Sequence, residues 1–437
     1  MLLPPSLMDW LPKGHLAYFL LDVVEQLDLS KIYASYQGNG RGQPPYEPRM
    51  MTALLFYAYC TGVPSSRQIE KKTFEDVAFR VIAANRHPDH DSICEFRKRH
   101  LKALAGLFVQ ILRLCQEAGL VKLGHVALDG TKIKANASKH KAMSYGKMKK
   151  KKEELEKEIE ELLKIAGAVD KEEDKKYGKG KSGWDLPDEL KRRGTRLEKI
   201  KAAMSAIEEE AKQEAAEKQK AKQARKKSKK GAASQPPRVV VPSDKAQRNF
   251  TDPDSRIMKV SSTKSFEQCY NGQAIVDDSS QVIVAAGLSQ HANDMEEVEP
   301  ILDILEENLG GIPHHMAITT DAGYFSETNL MLFEDALLNP FMATQKMKHG
   351  EVPPQVRGRI PKDMTPKDRM RRKLSTQKGQ EIYSKRKTTV EPVFGQIKQA
   401  RGLRQFQLRG YENVYAEWQI WCLTHNLLKI YRHGGPF

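Results

Sequence analysis

Apolar residues recur at helical spacing through the first 118 residues. Pro48 opens a run in which Met51, Leu54, Leu55, Ala58 and Tyr59 share one face, and Gly62 and Pro64 close it. Ser65 and Ser66 cap a short segment carrying Ile69, and a further segment runs through Phe74, Val77, Phe79 and Ile82. Asp91 and Ser92 cap a helix bearing Ile93, Phe96, Arg97, Lys98 and Arg99, which stays apolar through Leu101–Leu114. Short capped helices with basic ends match a helix-turn-helix DNA module; any small helical bundle has the same texture. Residues 1–118 are therefore expected to form an all-helical N-terminal domain.

The period then changes. Val126, Ala127 and Leu128 are consecutive and apolar between Gly124 and Gly130, which predicts a buried strand over 125–134. Residues 141–244 are dominated by charge. A narrow seam of Leu155, Ile159, Leu162 and Leu163 marks one helix, and Leu197, Ile200 and Ile207 mark a second that Gly194 weakens near its start. The Gly178–Gly183 region separates them, and the Arg225–Lys230 end is basic enough to touch a phosphate backbone. Beyond 245 the pattern alternates: strands are expected at Arg256–Val260, Gln268–Val276, Val282–Leu288 and Met316–Thr320. A helix is expected from about Asn293 or Asp294, with Val298, Ile301, Leu302 and Leu305 on one face, ending at Gly310-Gly311. Trp418, Trp421, Leu423, Leu427, Leu428 and Ile430 predict a buried C-terminal helix. The fold class is α/β: a mixed sheet from 119–140 and 245–437, interrupted by a charged, coiled-coil-like helical hairpin at 141–244.

Composition narrows the partner. The chain has 437 residues, with Lys+Arg 72 against Asp+Glu 56 and a net charge of +16. Such a balance argues for a polyanion, either nucleic acid or an anionic membrane surface. No apolar stretch of roughly 18 residues occurs, so a membrane span is not expected, and Pro4, Pro5, Asp9 and Lys13 interrupt any secretory signal. The 5 cysteines (Cys60, Cys94, Cys115, Cys269, Cys422) are single, which suggests neither disulfides nor a zinc site and makes a reducing cytosol the expected compartment.

Three carboxylates carry the candidate chemistry. Asp129 ends the strand Val126-Ala127-Leu128, Asp321 ends Ala317-Ile318-Thr319-Thr320, and Glu391 precedes Pro392. Strand-end carboxylates converge at one sheet edge when their strands are neighbours. A hard divalent cation takes oxygen ligands, and two such ions about 4 Å apart can activate an attacking oxygen and stabilise a leaving one. Pro392 is tolerated in a helix's first turn, which predicts a start near Thr388 or Thr389 with Glu391 at the positive end of the dipole. Lys398, seven residues on, then shares the face of Glu391, with Gly395 bare between them and Tyr383, Lys385, Arg386 and Lys387 upstream. Other motifs are set aside. Gly178-Lys-Gly180-Lys-Ser182 has Lys175 where a phosphate-binding loop needs its first glycine, and Gly38–Gly42 follows no strand. His314-His315 lack ligand partners, Asp252 and Asp254 flank Pro253 as turn residues, and Asp294 reads as a helix cap with an auxiliary role open to it.

Together, Asp129-Gly-Thr, Thr320-Asp321-Ala-Gly-Tyr and Val390-Glu391-Pro392-Val-Phe-Gly resemble the three catalytic blocks of DDE transposases of bacterial insertion sequences. Tyr46-Glu47-Pro48-Arg49 and the Ser65-Ser66-Arg67 helix are similar to the helical domain that precedes them. The resemblance implies an RNase H-like catalytic core binding two Mg²⁺ (or Mn²⁺) ions through Asp129, Asp321 and Glu391. It implies cleavage at transposon ends and attack of a 3′-hydroxyl on target DNA. It also implies double-stranded terminal repeats and target DNA as partners, a homodimer on DNA, and a cytoplasmic, nucleoid-associated location. The related Tyr–Arg–Glu–Lys signature falls on Tyr383, Arg386, Glu391 and Lys398 as DNA contacts around the glutamate. The signature spaces its Arg four positions before the Glu, where this chain has Lys387, so Arg386 and Lys387 compete for that contact. A non-catalytic, transposase-derived DNA-binding protein and an RNase H-like nuclease without strand transfer are the alternatives.

Overall fold

The computed structural model describes residues 6–36, 46–177, 187–226, 241–260, 264–345, 355–356, 358, 361 and 363–433. The two glycine-rich stretches at 38–42 and 178–183 lie outside the described residues, and so do residues 227–240 with most of the basic Arg225–Lys230 end. In chain order the helices and strands begin with α1 (Leu16–Gln26), α2 (Ser30–Tyr33), α3 (Pro48–Cys60), α4 (Ser66–Glu75), α5 (Val77–Ile82) and α6 (His90–Glu117). Then come β1 (His125–Lys134), β2 (Ala142–Ser144), α7 (Tyr145–Tyr177), α8 (Pro187–Lys226), β3 (Gln247–Asn249), β4 (Arg256–Lys259), β5 (Phe266–Asp277) and β6 (Ile283–Ser289). The series ends with α9 (Val298–Leu309), β7 (Ala317–Thr320), α10 (Glu327–Asp335), β8 (Asn339–Met342), α11 (Pro366–Ser375), α12 (Gln377–Gly395) and α13 (Tyr411–His433). Two compact units result, residues 1–136 with 258–437, and residues 137–257. No described helix is long and apolar enough to cross a membrane.

The larger unit is mixed α/β with a helical N-terminal region. Its sheet runs β4-β5-β1-β7-β8, and β6 also pairs with β5. β5 is antiparallel to both β1 and β6, whereas β7 and β8 run parallel to β1 and to each other. β5 and β6 are buried almost throughout, as strands covered on both faces must be. α13 is buried along most of its length, with Trp418 and Trp421 fully enclosed. Its Asn426 side chain bonds both the N–H and the C=O of Ile283, so the helix is fixed to β6 by polar as well as apolar contacts.

His425 on α13 is fully buried, and its Nε2 stands 3.0 Å from the Gln281 carbonyl oxygen. Burial pushes its pKa down from the ordinary 6.5 to about 3. The unfolded chain therefore binds this proton first. The stabilisation from a neutral His425 is complete above about pH 6.5 and is lost as pH falls from there toward pH 3, at up to about 1.4 kcal/mol per pH unit. In urea titrations between pH 7 and 5, His425→Gln should show a shallower loss of stability than the parent chain. Equal slopes would remove His425 as the cause.

In the smaller unit β2 and β3 pair antiparallel. Tyr145, Met148 and Leu155 pack on Ile200, Ala203 and Ile207, with Leu197 partly buried beside them. Lys201–Glu156 and Arg193–Glu158 pairs flank this seam, and Glu210 accepts from both Arg248 and Arg256. The expected seam is trimmed at one point: Leu163 is 52% exposed and takes no part in the cluster.

The largest departure from the sequence expectation concerns α12. It begins at Gln377, capped by the Thr376 side chain, and Pro392 lies inside it. Glu391 is therefore near the helix's C-terminal end, not in its first turn. An interior proline strips the carbonyl four residues earlier of its donor. Here that carbonyl, Thr388 O, accepts from Gln281 Nε2 at 2.8 Å. A side chain from the β5–β6 turn thus replaces the missing backbone N–H.

Candidate active site

Asp129 and Asp321 reach the same place by strand pairing. β1 and β7 are parallel neighbours with Leu128 opposite Thr320, strand axes about 4.8 Å apart, so the next residue on each is an aspartate. Asp321 follows the end of β7 at this edge of the sheet, whereas Asp129, expected at a strand end, stands mid-way along β1 and pairs with Ala274 of β5. Asp129 Oδ1 accepts from the N–H of Gly130, and Asp321 Oδ1 from that of Gly323. α12 crosses this edge and delivers Arg386, whose guanidinium bonds Asp129 Oδ2 at 2.9 Å and Glu391 Oε1 at 3.4 Å. One cation therefore links two of the three carboxylates, and the third lies beside Asp129. Burial pushes the Asp129 pKa up to about 7, with Arg386 opposing the shift and Asp321 and Asp294 adding to it.

Tyr383 is one turn before Arg386 on α12, and burial raises its hydroxyl pKa. Lys387 is exposed. Lys398 departs from expectation: it lies in a five-residue π-helical turn, Gln396–Ala400, and its Nζ bonds Thr131 Oγ1 at 3.0 Å and Lys132 O at 3.1 Å.

Asp294 also departs from expectation. The N-cap of α9 is Glu297, not Asp294. Asp294 Oδ1 accepts from Asn271 Nδ2 at 2.7 Å and Gln273 Nε2 at 2.9 Å, both on β5. Asp252 is buried and Pro253-Asp254 form a turn, while His315 holds a positive φ of 63° in the loop before β7.

Residues 5–99 match the family model described as a transposase domain (DUF772), and residues 355–431 match the one described as a transposase DDE domain. Both matches support a DDE-type transposase of an insertion sequence. No curated protein and no solved structure matches the chain. The second matched stretch holds Glu391 with Tyr383, Arg386, Lys387 and Lys398, whereas Asp129 and Asp321 fall outside both.

Proteins of this family generally use divalent metal ions. The donor chemistry fits: Asp129, Asp321 and Glu391 offer the hard oxygens that Mg²⁺ and Mn²⁺ take. Among the described residues, however, no three His, Cys, Asp or Glu side chains are gathered closely enough to hold an ion as they stand. The Arg386 contacts with Asp129 and Glu391 put a protein cation where a metal would otherwise neutralise the same charges.

Proposed function

We propose that the chain is an active transposase that cleaves DNA at transposon ends and joins them to target DNA, through Asp129, Asp321 and Glu391 as ligands of two Mg²⁺ or Mn²⁺ ions. The observation that carries this reading is the side-by-side placement of Asp129 and Asp321 on neighbouring parallel strands, with Glu391 joined to Asp129 through Arg386. The sheet supports an RNase H-like core, since three antiparallel strands (β6, β5, β1) are followed by two (β7, β8) parallel to β1. Residues 1–118 would then be the DNA-binding domain, 119–140 and 245–437 the catalytic domain, and 141–244 an insertion.

Bound there, the divalent ions would supply activation of the attacking hydroxyl and charge stabilisation of the leaving oxygen. The chain's own groups do the rest. The neighbouring strands β1 and β7 hold two carboxylates at fixed spacing, and α12 brings the third with its cations. Arg386 faces inward onto carboxylates, so the exposed Lys387, four positions before Glu391, is the phosphate contact on that helix. Tyr383 and Arg386 frame the site, and Lys398, held by β1, fixes the end of α12 against the catalytic strand. Pairing of the two transposon ends favours a homodimer on DNA.

Two experiments bear on this reading. End-labelled duplexes carrying the DNA that flanks the coding region should be cut and joined to a second duplex in Mg²⁺. Cutting without joining would reduce the protein to a nuclease. Arg386→Met should tighten Mn²⁺ binding to the DNA-free protein about tenfold in calorimetry, because the ion no longer competes with a guanidinium for Asp129 and Glu391. Unchanged affinity would show that Arg386 and the metal do not share the carboxylates.

A further inference from the structure

Two buried amides on β5 have no role in the sheet's apolar packing. Asn271 and Gln273 are each 1% exposed, and, two residues apart, they project to one face. Both donate to the same atom, Asp294 Oδ1. Gln273 also accepts, through Oε1, from the fully buried Tyr324 hydroxyl, four residues after Thr320. Asn329 closes the network, its Nδ2 bonding the carbonyls of Met295 and Tyr324 at 2.7 Å each. The loop bearing Asp294 is thereby tied to the loop bearing Asp321.

The glycines of the two aspartate blocks leave the space for it. A Cβ on Gly130 would lie 2.7 Å from Asp294 Oδ1 and 2.6 Å from Gln273 Nε2, and one on Gly323 would lie 3.3 Å from Asp294 Oδ2 and 3.0 Å from Asp321 Oδ1. One oxygen of Asp294 is thus held by two amides, while the other and Asp321 Oδ1 both lie within 3.3 Å of one point beside Gly323. A carboxylate oriented by donors on one oxygen and presented on the other is how metal-ligating carboxylates are held.

We propose that Asp294 is a fourth metal-ligating carboxylate of this site, sharing an ion with Asp321 through Oδ2. The inference rests on the metal-dependent reading above and extends it to a residue outside the three-carboxylate set. Asn271, Gln273 and Tyr324 are its positioning residues.

The test is Mn²⁺ binding to the full-length, DNA-free protein at constant ionic strength, followed by calorimetry and by the rise in thermal midpoint over EDTA. Asp294→Asn keeps an oxygen for the two amides and places an NH₂ beside Asp321. It is expected to weaken Mn²⁺ at least about tenfold, to lose most of the Mn²⁺-dependent rise, and to leave the EDTA midpoint unchanged or higher. If that variant fails to fold, Asp294→Ser, which keeps an acceptor without the charge, decides on the same criteria. Parental affinity in the folded variant, with Asp129→Asn losing binding, overturns the role of Asp294 alone. No Mn²⁺ binding by the parent chain overturns it together with the metal site.

Discussion

Asp129→Asn, Asp321→Asn and Glu391→Gln are each expected to lower DNA cleavage by at least about 10³-fold, with binding to the same DNA changed by less than about threefold. A loss of that size corresponds to about 4 kcal/mol of transition-state stabilisation, the scale of losing a metal-held charge at a reacting oxygen. The amides are nearly isosteric, so strand pairing at Leu128 and Thr320 and the course of α12 are kept. Asp129→Asn also relieves a buried charge, because burial already holds the Asp129 carboxyl up to about 7. That variant should be at least as heat-stable as the parent at pH 8 while inactive, which separates loss of chemistry from loss of fold. Glu391→Gln is the sharpest of the three, since Glu391 is the most exposed and contributes least to packing. Cleavage retained by any one of them would remove that residue from the catalytic set.

Arg401→Met is the largest stability change expected. Arg401 is 5% exposed, and its guanidinium donates to the carbonyls of Tyr59 and Trp421 and to the Thr424 hydroxyl. Tyr59 lies in the last turn of α3, where carbonyls have no helical partner, so the cation meets the negative end of that helix. It also stands 4.8 Å from the Trp421 ring centroid. The arrangement has a desolvation cost: burial pushes the Arg401 pKa down to about 10. Methionine fills the volume and removes that cost, and Trp421 O keeps the Thr424 hydroxyl and Tyr59 O the Gly62 N–H. Yet three hydrogen bonds from a charged donor are lost, each worth about 1.5–3 kcal/mol before that cost is offset. It also forfeits a desolvated cation–π contact of about 2 kcal/mol. The net expectation is a loss of about 3 kcal/mol, or roughly 5 °C in Tm for a unit of this size. A Tm within about 1 °C of the parent would show that the guanidinium's hydrogen bonds and ring contact only offset its desolvation.

Much of this was legible in the chain. The strand over 125–134, the helix opened by Pro48 and the buried C-terminal helix follow from apolar spacing, and they stand where expected. The neighbouring of Asp129 and Asp321 was legible only as a condition, because strand order is a long-range property that local pattern does not encode. α12 misled for a physical reason. Pro392 reads as a first-turn residue unless a distant side chain supplies the missing donor, and Gln281, 107 residues away along the chain, does so. β8 was missed because its four residues, Asn339–Met342, open with the pair Asn-Pro, which reads as a turn. Asp294 looked like a cap because an Asn-Asp pair before an apolar run is the usual helix signal. A cue against that reading was available in β5, where two amides two residues apart interrupt a buried strand. Buried amides need partners, and their partner proved to be this carboxylate.

The central claim, metal-dependent cutting of DNA by this carboxylate site, is tested most directly by nicking of a supercoiled plasmid that carries the DNA flanking the coding region. The purified chain and Glu391→Gln are compared in Mg²⁺, Mn²⁺, Ca²⁺ and EDTA. Nicks are expected at the element's ends with the parent chain in Mg²⁺ or Mn²⁺, none in EDTA, and none with the variant although it still binds. Equal nicking by parent and variant, or nicking that survives EDTA, would contradict it.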